Sequence, residues 1–568
     1  TSLIAANISA EQIIGMSGSG YAIGLGIASY EWMAALTLLI VGKFFLPIFL
    51  KNKIYTMPEF LQRRFGNSVR IVMAIFWLVL YVFVNLTAIL WLGATAVSTV
   101  SGVSIEYALI GLGLFAGAYA LYGGLKAVAL TDIVQVSMLV LGGLVIAFIA
   151  LEQISGTTGV GGAISGFQDL MTRLPHKFHM ILKPGDPNYT LLPGLSVLIG
   201  GMWIMNLSYW GFNQYIIQRA LAAKDTREAQ KGIVLAAFLK LLVPVLVVLP
   251  GIAAGILAPH LGRSDEAYPY LMTLLPSGFL GLVFAALIAA IIASMGSKIN
   301  SIATIFTIDL YKPLVRNASE THLVVVGRIA AVVALVTAMF AAEPILGHTD
   351  QAFQYIQDAT GFVTPGIVVI FLLAMFWSRT TTAGAFVGAV GSVVLSAIWF
   401  LDNMGVYGFN LWLPLIIKRL SGFSSATVAA VSSLPFLGAL AAAAFVSLSS
   451  DRSGERRWHT ALPMLIFGTG LGASVLCGGS LWLSMAALCV AALGLTSGTP
   501  GFWALATAAP GAAGSARVAI ITSMGALGGF CGPYLMGYLR AATNGFESGL
   551  FVLSGIVLLA GLLVLTRK

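Results

Sequence analysis

The chain has 568 residues, 58% of them hydrophobic and only 9% charged, with a formal net charge of +9. Soluble domains carry roughly 25% charged residues, so a soluble globular protein is excluded. The positive excess is confined to a few loops between apolar runs, where it orients a chain in a membrane and gives no ground for a nucleic-acid partner.

Apolar runs of about 20 residues, enough to cross a bilayer, recur about sixteen times. They lie near 1–20, 21–47, 72–100, 104–122, 130–152, 190–217, 232–258, 272–307, 322–342, 352–378, 382–417, 424–447, 460–478, 480–505, 517–539 and 547–566. The runs are continuous and lack the two-residue alternation of barrel strands, which predicts an all-α polytopic membrane protein in the lipid bilayer. No signal segment precedes Thr1, and the first helix reads as truncated.

The opening stretch, "AANISAEQIIGMSGSGY" (5–21), carries Asn7, Glu11 and Gln12 and then Gly15, Gly18 and Gly20. Each weakens a lipid-facing helix. A helix broken near the bilayer centre frees backbone carbonyls for a cation or a substrate. Lipid tolerates such backbone only around a protein-enclosed cavity. Next comes Glu31 in "ASYEWMAA", then a loop crowded with Lys51, Lys53, Arg63, Arg64 and Arg70. The run at 200–219 is interrupted by Asn206, Tyr209, Asn213 and Gln214, and a second basic loop follows with Arg219, Lys224, Arg227 and Lys231. Lys240 is near enough to that loop to snorkel. Gln354, Gln357 and Asp358 interrupt 351–366, and Arg452, Arg456 and Arg457 form a third basic loop. The three basic loops fall on one side, with Lys312, Arg316, Arg379 and the terminal Arg567 and Lys568, which predicts a cytoplasmic C-terminus.

The ionisable residues singled out within the spans are Glu11, Glu31, Asp132, Lys240 and Lys298. Each is costly in lipid unless paired or solvated, so each is a functional candidate. A Glu–Lys pair that only fixes helix packing is the plainer alternative. Combined with the amides and aromatics, these residues outline a wet cavity at mid-membrane, suited to a neutral polyol. Cys477, Cys489 and Cys531 lack metal-ligand spacing and read as small packing residues.

The stretches "AANISAEQIIGMSGSGY", "ASYEWMAA", "YTMPEFLQRRFG", "ALYGGLKAVALTDIVQV", "YWGFNQYIIQRALAAKD", "AAFLKLLVPVLVVLPGIAA", "NSIATIFTIDLYK" and "AFQYIQDATG" resemble, in order, the sodium/solute symporter family, close to its bacterial sodium/galactose branch. The resemblance covers about 1–397. It implies a LeuT-type core of five plus five helices in inverted repeats, in a bacterial inner membrane. It also implies sugar contacts at Gln12, Glu31, Asn206, Lys240 and Gln357, with Tyr209 stacking on the sugar beside Trp210. Met16, Tyr30 and Phe353 correspond to the outer gate. The sodium site it implies uses carbonyls of Ala5, Ile8 and Ala290 and two serine hydroxyls. Here "AAIIASMGSKINS" keeps Ser294 but has Ala293 at the first serine position, and Lys298 stands where an apolar residue is usual. Two readings of Lys298 stand: it leans toward the cytoplasmic helix end and snorkels, or its ammonium substitutes for sodium, leaving transport uncoupled or proton-linked.

From about 395 the chain instead resembles the C-terminal half of a major facilitator transporter of the anion:cation symporter branch. "SDRSGERRWH" (450–459) is similar to that family's charged loop, and "TPGFWALATAAPG" and "GALGGFCGPYLMGYLRAATNGF" to its later helices. The expectation is therefore a symporter core over 1–397 and a six-helix half over 398–568, joined through one long crossing at 382–417. The function implied is sodium-coupled uptake of a galactose- or glucose-like sugar by alternating access. The alternatives are a proton-coupled organic-anion permease, resting on the tail, and a sugar-binding chain that is uncoupled or does not transport. No catalytic Ser/His/Asp grouping, metal cluster or phosphate loop with its lysine is present, so an enzyme is not expected.

Overall fold

The computed structural model describes the chain apart from residues 1–2, 4–6, 55, 184, 190, 193, 316–317, 362, 379, 479, 508–511 and 567–568. The side chains of 121–133, 196, 383–393, 512–520, 523–524, 526–527 and 530 are likewise outside it. Ala5, Arg316, Arg379, Arg567, Lys568 and the side chain of Asp132 therefore lie outside the described residues. All regular elements among the described residues are helical, and the chain forms two compact units, Thr1–Phe386 and Val387–Lys568.

Ten described helices are long and apolar enough to cross a membrane, or eleven if the bent pair Ala352–Gly361 and Thr364–Phe376 is one span. About sixteen were expected. Part of the difference lies where polar residues and glycines interrupt an apolar run; the runs at 1–20, 382–417 and 517–539 include residues outside the described ones. The run at 190–217 becomes a series of short helical pieces ending at Phe212, and the chain then turns extended at Asn213 before Gln214–Leu221. The run at 352–378 bends by 51° between its two helices. The runs at 104–122 and 130–152 belong to one continuous helix, Ile105–Ser155. The segment 382–417 is part of a single helix, Thr382–Ser421.

In the first unit the opening chain is irregular at Asn7–Ser9 and becomes helical only from Ala10. The backbone N–H groups of Gln12 and Ile13 donate to Ser9 O at 3.2 and 2.9 Å, so Ser9 starts the helix. The helix then begins with a wide π-type turn, Glu11–Gly15, and continues as Met16–Ala22. Its glycines serve close approach. A Cβ on Gly18 would lie 2.9 Å from the backbone of Asp265, and one on Gly20 would lie 2.8 Å from Val248 O.

Elsewhere in this unit Thr56 caps the helix Met57–Phe65, accepting from Glu59 N at 3.2 Å. Its hydroxyl also donates to Asp309 Oδ1 at 3.1 Å, the oxygen that Arg70 Nε reaches at 2.7 Å. Arg70, read from sequence as part of a basic loop, is buried and paired with Asp309. Rings of Phe45, Phe212 and Phe371 stack in series, with centroids 5.3 and 4.6 Å apart. They pack the helices together beside the break at Asn213.

The second unit has its own core, in which Phe409, Leu413, Phe467, Leu488, Leu553 and Val557 are fully buried. Glu455 caps the helix Arg457–Leu476 by accepting from Trp458 N at 2.8 Å, and His459 Nδ1 bonds the same carboxylate at 2.8 Å. Arg456 pairs with Asp451 at 2.5 Å. The charged stretch 450–459 therefore joins the end of the helix Ser425–Ser453 to the start of Arg457–Leu476 through a turn of Gly454, Glu455 and Arg456.

Candidate functional site

The first unit encloses a cavity of about 90 Å³. That is room for several waters, at roughly 10–15 Å³ each. Three interrupted segments meet around it. The irregular opening brings Asn7, Glu11 and Gln12, the piece before Asn213 brings Asn206, Tyr209 and Trp210, and the helix Ala352–Gly361 brings Phe353 and Gln357. Continuous helices supply the remaining wall: Tyr30 and Glu31 from Leu25–Asn52, and Trp77, Tyr81 and Asn85 from Asn67–Ser101.

Two buried ion pairs hold this wall. Lys240 Nζ donates to Glu31, and its ammonium also lies 5.1 Å from the centre of the Trp210 ring. Lys298 Nζ donates to Glu11 Oε2 at 3.0 Å and lies 4.6 Å from the centre of the Tyr215 ring. Both lysines are 0% exposed. Neither snorkels. The snorkelling reading of Lys298 is overturned, because a carboxylate is within reach inside the protein and an ammonium pairs with it at far lower cost than it could stay unpaired. For Lys240, the pairing with Glu31 was the alternative expected from sequence.

A hydroxyl chain lies beside the pairs. Tyr209 OH accepts from Asn7 Nδ2 at 2.9 Å and from Tyr215 OH at 2.7 Å, which leaves its own proton to donate. Tyr81 OH donates to Asn213 Oδ1 at 2.5 Å and accepts from Gln214 N at 3.0 Å, fixing the backbone where the helix breaks. Asn7 Oδ1 and Gln12 Oε1 are buried with no hydrogen-bond partner among the described residues. Buried acceptors are almost always satisfied, so these two point to a ligand or water that donates to them.

Of the sugar contacts expected from sequence, Gln12, Glu31, Asn206, Tyr209 and Gln357 line the cavity, and Lys240 stands behind Glu31. Of the gate residues, Tyr30, Phe353 and Trp210 line it. Tyr30 and Phe353 meet edge to face at 5.6 Å, whereas Met16 is fully buried and does not line the cavity. Ile8, Ala290, Ala293 and Ser294 are all buried and form no part of this wall. The Ser294 hydroxyl has no hydrogen-bond partner among the described residues, which suits an oxygen held for a cation. Sequence reading passed over Tyr81 and Asn85. Asn85 donates to Glu11 Oε1 at 3.4 Å and is the sole amide in 72–100, and that isolation was the available signal.

A family model described as "Sodium:solute symporter family" matches residues 1–391. The chain is 54% identical over 410 residues to a sodium/glucose cotransporter of Vibrio parahaemolyticus, covering 69% of this chain and 75% of that protein. It is 34% identical to a mouse sodium/myo-inositol cotransporter 2, covering 70% of this chain and 63% of the mouse protein. A solved structure of a Na+-coupled sialic acid symporter in a substrate-bound outward-open state superposes with a TM-score of 0.60 at 21% identity, over 70% of this chain and 82% of that one. That likeness concerns the fold.

Proposed function

Because the chain belongs to the sodium:solute symporter family, we propose that it is a multi-pass membrane carrier moving a galactose- or glucose-like sugar together with sodium by alternating access. It is a transporter and not an enzyme. The observation that carries the reading is the cavity at the three interrupted segments, with its unsatisfied acceptors Asn7 Oδ1 and Gln12 Oε1.

In this reading Gln12, Asn206 and Gln357 bond sugar hydroxyls. Glu31, fixed by Lys240, accepts a further one, and Tyr209 donates its free proton while its ring covers the apolar face. Tyr30, Phe353 and Trp210 close over the ring, with Met16 packed behind them. Sodium is the driving ion, supported by the family and by the Na+-coupled neighbour. Its oxygens in this proposal are the carbonyls of Ala5, Ile8 and Ala290 and the Ser294 hydroxyl, without the second hydroxyl that Ala293 lacks. Binding of ion and sugar shifts the balance between outward-open and inward-open states.

The location proposed is a bacterial inner membrane with the C-terminus in the cytoplasm, supported by the basic loops. For 398–568 the proposal is half of a major facilitator fold. The resemblance of its motifs supports this. So do its helices, six among the described residues if Leu481–Leu495 and Thr499–Thr507 count as one. A lone half encloses no cavity between halves, so the tail is assigned no transport of its own.

The test is uptake of labelled galactose by liposomes holding the purified chain, with an inward sodium gradient against potassium and proton gradients. Accumulation driven by sodium alone is expected. Sugar flux indifferent to every cation gradient would refute the coupled reading.

A further inference from the structure

The Lys298–Glu11 pair spans the two segments that would hold sodium in the reading above. Glu11 is three residues past Ile8, and Lys298 is one helical turn past Ser294 on the helix Ser277–Leu314. The Asn85 amide lies on Glu11 and the Tyr215 ring on Lys298, and the adjoining Ser297 hydroxyl accepts from Arg219 Nη2 at 2.8 Å. The ammonium is fully buried, so solvent screens it little.

We infer that Lys298 is a built-in counter-cation that sets how tightly this transporter holds sodium. By neutralising Glu11 it leaves the incoming ion only neutral oxygens, and this acts in the same direction as the hydroxyl missing at Ala293. Lys298 is therefore a positioning residue for the ion site: it works through Glu11 and is not itself a ligand. The inference rests on the sodium-coupled reading.

The electrostatic consequence has a sign for each variant. Lys298→Met leaves the pair with one negative charge, Glu11→Gln leaves it with one positive charge, and the double variant is neutral like the native chain. A unit charge about 6–10 Å away, at an effective dielectric constant of about 20, changes ion affinity roughly ten- to hundredfold.

The experiment measures the sodium concentration for half-maximal galactose uptake in the native chain, both single variants and the double variant. A second readout is the sodium-dependent rise in melting temperature of each purified protein in detergent. The expected order of half-activation is Lys298→Met lowest, native and double variant close together, and Glu11→Gln highest. A pair that served packing alone would destabilise both single variants and move their sodium affinities the same way or not at all, and that result overturns the inference while leaving symport intact. If Lys298→Met does not fold, Glu11→Gln and the double variant still decide when sodium affinity is read against the melting temperature without sodium: restoration beyond the recovered stability upholds the inference, and affinity that merely follows stability overturns it. If the native chain ignores sodium and Lys298→Met responds to it, the coupled reading of the native chain fails and the inference as stated falls with it. Indifference of all four proteins in both readouts refutes the inference and the symport reading together.

Discussion

Lys240→Met is the sharpest test of how the cavity is held. Lys240 is 0% exposed, and its carboxylate partner Glu31 is 3% exposed, so neither charge is shared with water. Removing one partner of such a pair costs about 3–5 kcal/mol, because the other charge stays buried and unpaired. The lost contact with the Trp210 ring adds about 1–2 kcal/mol, since it is desolvated. Methionine fills nearly the same space, so little of the penalty comes from a void. Replacing both partners, as in Glu31→Gln with Lys240→Met, removes both charges and recovers most of the ion-pair term. The assay is a double-mutant cycle on detergent-solubilised protein, following the fraction that stays monodisperse on heating, with galactose uptake measured in parallel. We expect Lys240→Met to melt far below the double variant, although it carries one substitution fewer. If the two single substitutions add without coupling, the carboxylate does not depend on the lysine and the reasoning fails.

Three further outcomes follow from distances in the first unit. Tyr209→Phe deletes the hydroxyl that accepts from Asn7 and Tyr215. It also removes the proton proposed for the sugar, and an unpaired sugar oxygen in the closed site costs about 1–3 kcal/mol, so half-saturating sugar should rise roughly five- to 150-fold, while the two unpaired donors lower the melting temperature. Gly18→Ala places a Cβ 2.9 Å from Asp265 backbone, and overpacking of about 1–3 kcal/mol should lower the melting temperature. Ala293→Ser returns a hydroxyl beside Ser294 and should lower half-activating sodium severalfold. An unchanged sodium titration would show that this position does not face the ion.

The interruption of the opening helix was legible because Asn7, Glu11 and Gln12 have no reason to sit in a lipid-facing span. Gln357 and Asn206 were legible for the same reason. The partner of Lys298 was not. Glu11 lies 287 positions away in sequence, and nothing in a single chain relates two such charges until the fold brings them to 3.0 Å. The interruptions of the backbone in the later apolar runs were not legible for a related reason. Apolar composition marks where chain can lie in lipid, but the breaks at Asn213 and between Gly361 and Thr364 depend on backbone conformations that composition does not encode.

The charge balance of the cavity bears on what it can carry. Among the described residues the carboxylates in its wall are Glu11 and Glu31, and each is matched by one lysine held behind the wall. An anionic solute entering there would meet two carboxylates whose counter-charges are already committed. A cationic solute would have to compete with ammonium groups tethered beside those carboxylates. A neutral polyol has neither difficulty. It can donate to the outer lone pairs of paired carboxylates and to the open acceptors of Asn7 and Gln12, and it can accept from Tyr209, without disturbing either pair. The same arithmetic separates the two lysines. In the proposed reading Lys240 makes Glu31 usable by a sugar, and in the inferred one Lys298 keeps Glu11 from acting as a full negative charge on the ion. Substituting Lys298 should therefore change the sodium dependence well before it changes which sugar is carried.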